Sequence, residues 1–263
     1  MATSNPAFSQ SPAFQNGSAA NATLSADKLQ QMYESPSATS VDTDRMTVED
    51  TVVKTAISFG ILVVGAVIGW VVPGIWIPAA IVGFVLALVN IFKRKPSPPL
   101  ILAYAGVQGL FVGGISAYFE ATWGGIVLQA VIATIVVVGV TLALFASGKI
   151  RASAKATKVF LIAMVGYLVF SLVNVVLVWT GATTSPFGLS GDVKIFGIPL
   201  GIVVGILVVI MAAYSLVLDF DAIQQGVKNR APRVYGWTGA FGIMVTVIWL
   251  YLELLRIFAI ARN

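Results

Sequence analysis

The chain is read as an all-α polytopic membrane protein, a seven-transmembrane helical bundle, and two observations carry that reading. Of its 263 residues 58% are hydrophobic and only 10% charged, whereas soluble domains carry about 25% charged residues. The apolar residues also fall in successive runs of about 18–25, each long enough to cross about 30 Å of hydrocarbon. A membrane β-barrel would alternate apolar and polar residues at every second position, and these runs do not.

Taken in order, residues 1–45 are rich in Ser, Ala, Asn, Gln and Pro and carry a small repeat, "PAFSQ" from Pro6 and "PAFQN" from Pro12. No basic segment followed by an apolar one marks a signal peptide there. The composition predicts a disordered cytoplasmic tail, with Phe8 and Phe14 as candidate docking residues. Residues 46–263 form the membrane domain. It opens on "MTVEDTVVKT", where Thr47 and Asp50 resemble a capping box. The seven apolar segments are placed at about 52–72, 75–92, 99–119, 123–146, 157–180, 196–223 and 236–260. Pro73 and Pro78 are expected to bracket the first connection, and "KRKPSPP" makes the second. Pairs at GxxxG spacing (Gly65 and Gly69, Gly109 and Gly113, Gly201 and Gly205) predict close helix crossings.

Charge orients the bundle. Lys93, Arg94 and Lys95 share one connection. Lys149, Arg151, Lys155 and Lys158 lie near the connection two crossings later, and Lys228, Arg230 and Arg233 two crossings after that. The positive-inside rule makes these connections cytoplasmic, with the amino terminus inside. Seven full spans put the carboxyl terminus outside; a re-entrant last segment, which Arg256 and Arg262 would tolerate, would put it inside. The net charge of +5 is explained by orientation rather than by nucleic-acid binding.

The chain has no cysteine and no histidine. That excludes thiolate metal sites, His-based zinc sites and nucleophile–His catalysis. A retinal protein needs a Schiff-base lysine in its last helix, and 236–260 contains none. A Ser–Lys hydrolase needs a lysine at mid-span, and none is found. The chain is therefore expected not to be an enzyme and to need no cofactor.

Any proton sensor must then be a carboxylate. Charged groups at membrane depth are costly and are functional candidates by default. Asp219 and Asp221, in "LVLDFDAIQQGV", are two residues apart, so they point in different directions around a helix. Both are expected near a helix C-terminus, where burial and the helix dipole disfavour the anion. Glu253 lies inside the seventh segment with Arg256 three residues on, so it is either a functional acid or one half of a local ion pair. Thr246 lies two turns earlier on that face. Glu120 is either an outer mouth or a solvated interfacial acid. Asn90, Gln108, Gln129, Ser171 and Asn174 line a polar path or bond between helices.

The segments "MTVEDTVVKT", "VQGLFVGGIS", "GIVLQAVIAT", "LVLDFDAIQQGV" and "WLYLELLRIF", in that order, resemble the Bax inhibitor-1/YccA-like family, in its bacterial branch. The resemblance covers about residues 46–260. It implies six helices around a central seventh, and location in the bacterial cytoplasmic (inner) membrane. Some members of the family are pH-dependent calcium leak channels in which acidic residues on helices six and seven act as sensor and gate. Asp219 matches the helix-six acid. On helix seven two registers are open: one places Glu253 on the second acid, the other places Thr246 there. Gln108 stands where members often carry Glu. The resemblance thus implies a cation leak, plausibly of calcium, gated by protonation of Asp219 with help from Asp221 or Glu253, and Asp219 is a possible calcium contact. The alternative is a non-conducting regulator that binds other membrane proteins or proteases. A proton-coupled transporter is a weaker third, since no internal repeat is evident.

Overall fold

Thr47 begins the first helix as the sequence predicts. Its hydroxyl accepts from the Asp50 amide at 3.1 Å, and with Glu49 and Asp50 in the first turn the helix N-terminus is well supplied with negative charge. The capped turn makes α1 start at Val48, before the apolar run itself. The structure, a computed structural model, describes residues 30 and 44–262. The expected tail, with Phe8 and Phe14, lies outside the described residues except at its end. There Asp44–Met46 already belong to the membrane unit: Met46 N donates to Ala231 O at 2.8 Å and Arg233 N to Asp44 O at 2.9 Å.

Seven helices are long and apolar enough to cross a membrane: α1 Val48–Val71, α2 Trp76–Phe92, α3 Pro98–Thr122, α4 Ile126–Ala146, α5 Ala154–Trp179, α6 Leu200–Lys228 and α7 Gly236–Ala261. The bundle is all-α apart from a two-residue-per-strand hairpin, β1 Lys194–Ile195 and β2 Ile198–Pro199, just before α6. The last segment is one continuous 26-residue helix, not a re-entrant turn. Arg262 at its end hydrogen-bonds the Gly124 carbonyl in the α3–α4 connection, opposite the basic loops.

Several boundaries differ from expectation, each for a local reason. Pro78 does not end a connection; it sits in the first turn of α2, where proline's missing N–H costs nothing. Gly125, at φ +83°, makes the turn that delays α4 to Ile126. Helix α6 runs on to Lys228, so Asp219 and Asp221 are not in its last turn. The dipole effect fades within one turn, so it does not reach Asp219.

Helix α7 packs on α1, α3, α4 and α6. It is the most buried span, with 56% of its apolar stretch inside, while α5 buries nothing. A central seventh helix is therefore present, with α5 at the periphery. The α1–α3 crossing is made by glycines. A Cβ on Gly65 would meet the Gly106 carbonyl, and one on Gly113 the Ala66 carbonyl, so the two backbones touch. Gly201 and Gly205 give the same access to α7, under Ile260 and Ile257.

Candidate functional site

The bundle core is mostly apolar, and three polar constellations interrupt it. The first joins α6 to α7. Asp219, in α6, accepts at Oδ2 from the Thr246 hydroxyl of α7 at 2.7 Å. Ser215, one turn back on α6, lies 3.3 Å from the same hydroxyl. Gly242 makes room for the carboxylate, since a Cβ there would stand 2.9 Å from Asp219 Oδ1. Asp219 also opens into a cavity of about 460 Å³ at the end of the bundle that carries the basic loops. Asn90, Lys93, Arg94, Tyr235 and Thr238 share that cavity. Asn90 itself is held by the Leu86 and Leu100 carbonyls at 2.9 and 3.3 Å, bridging α2 to α3.

The second constellation lies two turns along α7. Glu253 is 3% exposed. It is bonded by the Arg256 guanidinium, one turn on, and accepts from Tyr167 of α5 at 3.0 Å. Arg256 also reaches Ser190 at 3.4 Å. Seven residues of helix rise separate Thr246 from Glu253, about 10 Å, and Leu250, fully buried, fills the face between them. The residue facing Asp219 is thus Thr246, and Glu253 is committed to Arg256 and Tyr167. No carboxylate pair forms across α6 and α7.

The other candidates are placed as follows. Asp221 is half-buried, one residue past Asp219's buried neighbour Phe220, and makes no hydrogen bond or ion pair among the described residues. Glu120 caps α4: its carboxylate accepts from the Gly125 and Val127 amides at 2.5 and 3.1 Å. That explains its position without a channel mouth. Asn174 clamps the connection after α5, donating to Phe187 O at 3.0 Å and accepting from Leu189 N at 2.8 Å. Gln108 packs against the bare backbone of Gly83 on α2. None of these three adjoins Asp219. Among the described residues no group of three acidic, His or Cys side chains converges on a metal position.

Sequence reasoning missed the third constellation. Asp50 binds the Lys54 ammonium and the Arg233 guanidinium, the latter through 2.7 and 2.9 Å bonds. Lys54 also donates to the Arg233 carbonyl at 2.7 Å and lies 5.7 Å from the Trp237 ring centroid. Lys54 is 7% exposed, so a buried lysine does exist near the start of α1, though paired and not at mid-span. The spacing of Asp50 and Lys54 at i, i+4 was a readable signal; their meeting with Arg233 was not, because it depends on how α1 meets the α6–α7 connection. Ser215 and Tyr167 were missed for the same reason.

A family model described as Bax inhibitor 1 like matches residues 5–263 of the chain. No curated protein matches it.

Proposed function

We propose, from the premise that the chain belongs to the Bax inhibitor 1 like family, that it is a cation leak pathway switched by protonation of one carboxylate, Asp219. The observation that carries the reading is the position of Asp219. Among the described residues it is an intramembrane acid with no cationic partner, held by a threonine hydroxyl and open to a cavity at one end of the bundle. Ionised, it offers hard oxygen to a cation, and the Thr246 and Ser215 hydroxyls continue that oxygen surface inward. Calcium, which takes carboxylate, hydroxyl, carbonyl and water oxygens, is the cargo best suited to such a surface.

Protonation has a definite sign in this arrangement. Lys93 and Arg94 share the cavity and repel cations. The Asp219 charge offsets one of them. Once Asp219 is protonated the cavity holds only positive charge, so acid closes the path and rising pH opens it. Glu253 and Arg256 neutralise one another, and Tyr167 ties that pair on α7 to α5. The chain is read as a non-enzymatic protein of a bacterial cytoplasmic membrane, with its basic loops inside.

Calcium flux into dye-loaded proteoliposomes tests the proposal. Flux is expected to fall on acidification, and Asp219→Asn to leave a low flux that no longer responds to pH. Equal, pH-independent flux in both proteins would overturn it. One feature favours the alternative regulator: α5 buries none of its 26 residues, which leaves an apolar face for another membrane protein. Site-specific crosslinking from α5 to a defined partner, together with no flux, would select that reading.

A further inference from the structure

A cleft runs along the bundle between α1 and α4, with α7 as its floor. Two apolar cavities of about 670 and 620 Å³ line it end to end and share Phe59, Thr134, Ile135 and Val247. The threonines in its walls donate their hydroxyl protons to carbonyls of their own helices. Thr51 donates to Thr47 O at 2.7 Å, Thr55 to Thr51 O at 2.8 Å and Thr134 to Ala130 O at 2.7 Å. The walls are otherwise apolar and suit an apolar occupant.

The mouth at the basic end differs from the walls. Arg151, from the α4–α5 connection, lies over the ring of Phe145 at 4.4 Å and donates to Gln224 at 3.2 Å. Phe145 and Gln224 both line the cleft. An exposed guanidinium therefore stands where the apolar cleft opens at the end that carries the basic loops. Along α1 the inner cavity runs from Val48 to Phe59, a rise of about 17 Å. That matches one leaflet of hydrocarbon, about 15 Å.

We propose that this cleft is a phospholipid site: one acyl chain lies between α1 and α4, and its phosphate is held by Arg151. Apolar walls, leaflet length and a cation at the mouth together call for an amphiphile with an anionic phosphate. A helix from a second copy would satisfy the walls but leave Arg151 without an anion.

Native mass spectrometry of the full chain, in detergent supplied with palmitoyl-oleoyl phosphatidylglycerol, tests the site. The wild type is expected to retain one phospholipid. Phosphatidylcholine, which shares the phosphate, is retained as well, and monoolein, which lacks it, is not. Arg151→Gln lowers retention at least fivefold. So does Gly139→Leu, whose side chain enters open space in the cleft. Arg94→Gln, a cation of the other cavity, retains the lipid. Equal retention by wild type and Arg151→Gln, equal retention of monoolein, or a lipid-free dimer would each overturn the proposal. Should Gly139→Leu fail to fold, the Arg151→Gln comparison decides alone.

Discussion

At Asp219, one hydroxyl and one glycine define the carboxylate's position. Thr246 donates to it, and Gly242 leaves it room on the α7 side. Gly242→Ala is therefore expected to push the carboxylate off Thr246, because a Cβ 2.9 Å from Oδ1 is closer than van der Waals contact allows. The measurement is the pH midpoint of calcium flux, which should move although no titrating group has been changed. Asp50 makes a different prediction. Among the described residues it alone pairs with Lys54 and Arg233, so Asp50→Asn removes the counter-charge of a buried ammonium. Breaking a buried pair costs about 3–5 kcal/mol, and thermal unfolding in detergent should show a clear loss of stability.

The helices themselves were largely legible, since each is a long apolar run ended by Gly, Pro or a basic cluster. Their ends were less so. Helix α6 passes Asp219 and Asp221 and continues to Lys228 because its final turns remain amphipathic, burying Ile223 against Gly239 of α7. Glu120 stays an acid at the end of the bundle, and the turn at Gly125 brings the α4 N-terminus back to it so that it also caps a helix. The first depends on a neighbouring helix and the second on the geometry of a turn, neither of which periodicity registers. The glycine pairs were readable as close crossings, but not which helix each would meet. For α1 and α3 the answer is each other, backbone against backbone. Gly113→Leu should accordingly separate these helices and lower the yield of folded protein on size-exclusion chromatography. Gly60→Leu on α1, where an added Cβ meets nothing, should be tolerated.

For the whole molecule, the resemblance left two registers open on helix seven, and the fold chooses between them by geometry. Antiparallel packing sets Ser215 beside Thr246 and Gly205 beside Glu253. Sliding α7 to bring Glu253 onto Asp219 would cost the Tyr167–Glu253 and Arg256–Ser190 bonds and the Ile257 and Ile260 contacts with α6. The bundle therefore carries two separated polar levels with Leu250 between them: one open to the basic end through Asp219, the other sealed by an internal ion pair. A switch built on one acid takes up one proton, whereas a carboxylate pair titrates in two coupled steps. The steepness of the flux–pH curve in wild-type proteoliposomes reads this directly. A one-proton curve that disappears in Asp219→Asn is the predicted result. A two-proton curve, or one that persists without Asp219, would contradict it.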